Sequence, residues 1–202
     1  MIVGLYFGSF NPVHKGHVHL ARAFQEQSGV DEVWWVLSPH NPFKQLSGLA
    51  SFEHRAAMLQ EELPNNHMLC TIEQTLPRPS FTIQTLRALQ RQFPENQWIL
   101  LMGADSWNAL PTWKDGPVIE AQFPIWVYPR ISDAGVESIL RQGPHTTLEG
   151  YLMPVSSTEI RQASLENLEK PVGVSDEVWE YIKDNQLYQP VSSRYPSVLE
   201  IT

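Results

Sequence analysis

The sequence has a single cysteine, Cys70, so no disulfide can form within the chain and a reducing compartment is the simplest setting. Set in HMLCTI, that thiol reads as a core filler rather than a reactive group. Long apolar runs are also missing. The longest, such as WILLMGA at 98–104, fall far short of the roughly 20 residues needed to span a bilayer. The opening MIVGLYFG lacks the basic region, extended apolar stretch and small-residue cleavage site of a secretory signal. Positive charge is scarce: 14 basic against 22 acidic residues give a net charge of −8, which disfavours a nucleic-acid groove or an anionic membrane surface. The expectation is a cytoplasmic protein with no nucleic-acid or membrane partner, still able to bind small anions through local positive groups.

What is present is enough apolar material, 42% of 202 residues, to bury a proper core. Short apolar runs at 2–7, 32–38, 68–73, 98–103 and 124–128, with a weaker one at 147–153, read as strands. Helical patterns fit at 16–28, 52–63, 82–93, 105–110 and 134–142, and again at 156–168 and 175–186. Continuous apolar strands alternating with amphipathic helices predict an α/β fold, a doubly wound Rossmann-like parallel sheet with a small C-terminal helical segment. Such sheets bind ligands beyond the carboxyl ends of their strands. The chain divides into a single domain over 1–188, its C-terminal helical part at about 156–188, and a peripheral tail over 189–202 that is a candidate subunit contact in a homo-oligomer. Long loops at 39–51 and 111–123 follow strand ends, where loops of that length usually bind or cover something.

The first strand runs into GSFNPVHKGH, residues 8–17. Gly8 and Ser9 allow a ligand close to the backbone, Pro12 stiffens the turn, and Gly16 permits close packing where a helix begins. His14 and His17, three apart, share one face at the electropositive end of that helix, where an anion would sit. This is neither the lysine-bearing P-loop nor the three-glycine dinucleotide fingerprint. Protonated or hydrogen-bonding imidazoles would stand in for the P-loop lysine. A zinc site would need more ligands than His14 and His17, since helical spacing turns His19 away. In VSSTEIRQ, 155–162, Ser156 and Glu159 have capping-box spacing. The same helix start offers free N–H groups, the hydroxyls of Ser157 and Thr158, and Arg161 one turn in, all suited to phosphates. Spacing alone does not choose between those two readings.

Together the two segments resemble the nucleotidyltransferase superfamily, whose signatures are a T/SFxPxHxGH loop and an SSTxIR helix start. The blocks LSPHNPFK, PSFTIQTL, MGADSWNALPTWK and VYPR, with the closing VWEYIKDNQLY, narrow the resemblance to the bacterial nicotinate mononucleotide adenylyltransferases over residues 2–188. That resemblance implies an enzyme of NAD biosynthesis that transfers AMP from ATP to nicotinate mononucleotide, with Mg²⁺ accompanying ATP and no covalent intermediate. It implies His14, His17 and Arg161 as catalytic residues, His17 being the stabiliser of the reacting centre. For ATP it implies Gly8, Ser9, Phe10, Gly103, Asp105, Arg130, Ser157 and Thr158, and for nicotinate mononucleotide Lys44, Thr82 and Trp113. No protein metal ligand is implied.

Each has a plainer reading. Thr82 could be an ordinary N-cap, Trp113 a core residue, and Asp105 a helix cap. Arg55 could form a helix ion pair with Glu53 or Glu62. Asn11 departs from the resemblance, which often has aspartate there. Rival functions are a phosphopantetheine adenylyltransferase, a cytidylyltransferase and a non-catalytic nucleotide sensor.

Overall fold

The structure, a computed structural model, describes residues 1–39, 48–129, 139–150 and 153–189. Strand β1 (Ile2–Gly8) leads into helix α1 (Lys15–Ser28), and β2 (Glu32–Leu37) is followed by α2 (Phe52–Glu62) and β3 (His67–Cys70). After a 3₁₀ turn at Ile72–Thr75 come α3 (Thr82–Gln92), β4 (Gln97–Gly103) and α4 (Ala104–Ala109). A second 3₁₀ turn at Leu110–Thr112 precedes α5 (Gly116–Gln122), β5 (Ile125–Tyr128), β6 (Thr146–Thr147), α6 (Ser157–Leu165) and α7 (Asp176–Asp184).

The strands form one sheet in the order β3-β2-β1-β4-β5-β6, every pair parallel. From β1 the chain winds outward through β2 and β3, then returns to lay β4 on the other side of β1. That reversal opens a crevice beyond the carboxyl ends of β1 and β4. Tyr6 pairs with Leu101, so Gly8 and Gly103 end the two strands side by side at its mouth.

Alternation along the strands sorts side chains onto two covered faces. Val33, Trp35 and Leu37 of β2 meet α1, α2, α6 and α7 through Phe24, Met58, Leu59, Ile160, Val178 and Ile182. Trp34 and Val36 meet α3, α4 and α5 through Ile83, Leu86, Leu89, Trp107 and Ile119. The two C-terminal helices therefore share a core with α1 and α2. Close packing is felt at Gly4, where an added Cβ would lie 2.3 Å from the Phe24 ring.

Several expected boundaries change. The third strand stops at Cys70, whose buried thiol does sit in the core, and gives way to the 3₁₀ turn. The weak strand at 147–153 reduces to Thr146–Thr147 paired with Trp126 and Val127; residues 151–152 lie outside the described residues. Of the helix expected at 134–142, residues 134–138 also lie outside them, and 139–142 are irregular. There Arg141 stacks on Trp107 at 3.6 Å and pairs with Glu120, while Asn108 bonds the Arg141 N–H and the Ile139 carbonyl. Those side-chain bonds to the backbone replace a helix ladder. The loop expected at 111–123 instead contains α5. Its Ile119 and Phe123 are buried one turn apart, and a Cβ on Gly116 would lie 1.9 Å from the Leu110 carbonyl oxygen.

Candidate active site

At the crevice mouth, His14 is the N-cap of α1 and His17 its third residue, and the two close a reciprocal capping box. The His17 N–H donates to His14 Nδ1 and the His14 N–H to His17 Nδ1, both at 3.3 Å, with the rings stacked at 3.7 Å. A nitrogen that accepts a backbone N–H carries no proton, so the hydrogen-bond pattern assigns each neutral ring its proton at Nε2. Burial pushes the His14 pKa down to about 4, so near neutrality this imidazole works as a hydrogen-bond donor rather than a cation. Gly16 makes room for the stack, since a Cβ there would sit 3.0 Å from the His14 ring. His19 is exposed on the outer face of α1.

The loop before α1 is tightly held. Phe10 has φ 41°, a left-handed conformation that costs a non-glycine residue about 1–3 kcal/mol and persists only where its surroundings enforce it. Its ring is buried beneath His17, centroids 5.2 Å apart, and against Tyr6 and Trp35. A ligand therefore meets Phe10 only through its backbone.

Three loop carbonyls each accept from a side chain of a helix. Arg55 donates to Ser9 O at 2.7 Å, Arg161 to Asn11 O at 2.8 Å and Ser157 to Pro12 O at 2.9 Å. Oxygens that would repel a phosphate are thus turned into the protein. The same bonds join the two signature segments, which lie almost 150 residues apart in sequence. Ser156 caps α6 by accepting the Glu159 N–H, which is the Ser156 half of the expected capping box. Arg161 also reaches the Thr158 hydroxyl at 3.1 Å, which sets its guanidinium beside the loop.

Across the crevice, Gly103 ends β4 under the Tyr128 ring, 3.0 Å from where a Cβ would stand. Asp105 lies exposed in the first turn of α4. The cap of α3 is Phe81, not Thr82, so the ordinary N-cap reading of Thr82 does not hold: Gln84 Oε1 accepts the Phe81 N–H at 3.2 Å and Thr82 is the first helical residue. Trp113 is half-buried against the core of that face, and Lys114 places its ammonium 4.8 Å from the Phe81 ring, which draws the 113–114 turn toward the start of α3. Lys44 and Arg130 lie outside the described residues.

Two buried ions were not legible as site supports. Arg55 makes no ion pair with Glu53 or Glu62. It is fully buried and donates to Ala50, Ser9, Ser38 and Pro39 carbonyls at 2.7–3.0 Å. Its signal was its place on the same helix stripe as Met58 and Leu59. Glu73 is also buried, pushed up by desolvation, and accepts from Ser80 and Thr85, which anchors the start of α3.

A doubly wound sheet with a histidine pair and an arginine-bearing helix start at its switch point has the layout of α/β proteins that bind their ligands in that crevice. The sequence model of the cytidylyltransferase-like family matches residues 5–163. "Probable nicotinate-nucleotide adenylyltransferase" of Christiangramia forsetii is 36% identical over 192 residues, 93% of this chain and 98% of that protein. A protein of the same name from Parvibaculum lavamentivorans is 39% identical over 166 residues, 81% of this chain and 75% of its own. The nicotinic acid mononucleotide adenylyltransferase of Plasmodium falciparum, solved in complex with NaAD, shares the fold at a TM-score of 0.73 and 17% identity, covering 93% of this chain and 97% of its own. This chain belongs to the cytidylyltransferase-like family and, within it, to the nicotinate-nucleotide adenylyltransferases.

Proposed function

We propose that this chain transfers AMP from ATP to nicotinate mononucleotide, giving nicotinate adenine dinucleotide and pyrophosphate in NAD biosynthesis. The observation that carries the reading is that Ser157 and Arg161 bond the Pro12 and Asn11 carbonyls of the loop leading into the His14–His17 box, at the crevice of a chain from this family. In the reaction the mononucleotide phosphate oxygen attacks the α-phosphorus of ATP. The bond to the bridging oxygen breaks, and its electron pair leaves with pyrophosphate. No protein nucleophile is needed; catalysis rests on placement and on donors aimed at developing charge.

His17 Nε2–H, supported by the stacked His14, stabilises the oxygens of the reacting phosphorus. Arg161, Ser157 and Thr158 hold the departing pyrophosphate, and Gly8 and Ser9 let the phosphates approach the backbone. Gly103 and Asp105 receive the adenosine, the carboxylate accepting from ribose hydroxyls. Thr82 and Trp113 take the nicotinate ring, Trp113 by stacking. Lys44 for the mononucleotide phosphate and Arg130 for the polyphosphate complete the proposal on residues outside the described set.

Mg²⁺ belongs to the proposal as ATP's companion. Mg²⁺ binds polyphosphates through their oxygens and keeps several waters, so the proposal gives it no dedicated protein cage. When bound it offsets polyphosphate charge. Among the described residues no helix is long and apolar enough to cross a membrane, and the single buried Cys70 supports placing the enzyme in the cytoplasm.

The test is pyrophosphate release by the purified protein with ATP and Mg²⁺, offered nicotinate mononucleotide, nicotinamide mononucleotide or phosphopantetheine. Preference for the first is expected. Activity confined to phosphopantetheine, or silence with all three while ATP still binds, overturns the reading.

A further inference from the structure

The strained phosphate loop is held from an unexpected direction, the far end of the fold. Asn11 is buried and both ends of its amide are engaged: Nδ2 donates to Gly48 O at 2.8 Å, while Oδ1 accepts from the Ala50 N–H at 3.1 Å and the Tyr188 hydroxyl at 2.9 Å. An amide satisfies that set and an ionised carboxylate does not, because the Gly48 carbonyl needs a donor where the other two groups need an acceptor. A carboxylate would face Gly48 O with a lone pair and would place an anion beside Arg161, which already bonds the Asn11 carbonyl.

Helix α7 ends in a Schellman cap, with left-handed Gln186 (φ 49°) donating its N–H to Lys183 O, and Tyr188, itself left-handed at φ 66°, follows it to reach Asn11. The segment is pinned in that shape by Ser164 of α6, whose hydroxyl donates to Leu187 O at 2.9 Å, and by the Leu187 N–H bonding back to Ile182 O. The left-handed φ of Tyr188, which that cap does not account for, persists only because its surroundings hold it. We propose that Tyr188 is a positioning residue for the phosphate loop: acting through Asn11, it fixes the Phe10–Pro12 backbone in register with Arg161 and the His14–His17 box. The inference rests on the adenylyl-transfer reading for its kinetic form.

The experiment compares wild type with Tyr188→Phe, Asn11→Ala, the double variant, and Tyr181→Phe as control. Tyr181 belongs to the same C-terminal unit and bonds the His54 ring at 3.0 Å on α2, so its loss weakens docking of that unit without touching the loop. Losing one neutral hydrogen bond from the latch should lower kcat/KM for ATP about fivefold in Tyr188→Phe, with the acceptor KM unchanged. Asn11→Ala should fall at least as far, the double variant should match Asn11→Ala alone, and Tyr181→Phe should behave as wild type. Equal behaviour of Tyr188→Phe and Tyr181→Phe, or losses that multiply in the double variant, overturns the latch. ATP affinity of the same five proteins, measured by equilibrium binding, is read alongside. If wild type transfers to no acceptor, the transfer reading falls, and the latch then stands if Tyr188→Phe binds ATP more weakly than Tyr181→Phe and falls if it does not.

Discussion

In the half of the crevice proposed for ATP, the loop backbone is held by directed hydrogen bonds over the packed Phe10 ring: loop carbonyls to Arg55, Arg161 and Ser157, the Asn11 amide to three partners, and each imidazole to a backbone N–H. In the half proposed for the acceptor, Trp113 leans on apolar neighbours, Lys114 sits over Phe81, and hydroxyls bonded to Glu73 hold the start of α3. The contrast follows from what each half must do. Charge that develops at a phosphorus is stabilised only by donors already in place, and a displacement of about 1 Å can cost on the order of 10²-fold. A flat ring is bound by area and tolerates small shifts of its platform.

The contrast is broken most severely at Arg55. Arg55→Met takes the donor from four partly buried carbonyl oxygens and should cost about 3 kcal/mol of stability, read as a fall in denaturation midpoint. Arg55→Lys should recover only part of it, because an ammonium lacks the planar fork. The pH dependence is next. The His14 imidazole takes a proton near 6.5 when unfolded and only at about 4 when native, so between those values the unfolded state binds more protons and stability drops as pH falls. The full difference is about 3 kcal/mol. His67, whose Nδ1 accepts from Trp35 and whose pKa is likewise pushed down to about 4 by burial, acts in the same direction. Glu73 acts oppositely: held above the usual carboxylate range, it favours the folded state at low pH and loses that contribution as pH rises through its folded value. Acid unfolding monitored from pH 7 to 4 should therefore be shallower in His14→Gln. Turnover should show no inflection from His14 near 6.5, since that ring is already neutral there.

His17→Ala should lower turnover by about 10²-fold while the fold survives, as expected for one transition-state donor. Near-wild-type turnover in a folded variant would remove His17 from the chemistry.

The parallel sheet, the crevice and the pairing of residues 8–17 with 155–162 were legible because each is written in local pattern: apolar runs, glycines and prolines at a turn, a cap followed by an arginine. What was illegible was set by contacts distant in sequence. Arg55 looked like a surface ion-pair residue until the carbonyls of residues 9, 38, 39 and 50 converged on it. Asn11 looked like a departure whose consequence was open until Gly48, Ala50 and Tyr188 supplied its partners. The protonation of the histidines was equally hidden, since two imidazoles three residues apart are compatible with cations; only the reciprocal box and burial make His14 a neutral donor. His67 adds a lesson, because it has the same depressed pKa as His14 and lies far from the crevice. A shifted pKa marks burial, and the strand end marks the site.

The mildest prediction probes the acceptor half directly. If Trp113 serves as a platform, Trp113→Ala removes stacking area without disturbing any hydrogen bond of the ATP loop, so the acceptor KM should rise about tenfold while the KM for ATP and turnover at saturation stay near wild type. Trp113→Phe should recover most of the loss, because a smaller aromatic face still stacks. Because Trp113 also packs on the core of its own face, the variant's stability is measured alongside. A rise in both KM values, with lost stability, would mean that the residue supports the fold and that the two halves are not held independently. A rise confined to the acceptor would make the division into a hydrogen-bonded half and a packed half a property of the enzyme's kinetics as well as of its geometry.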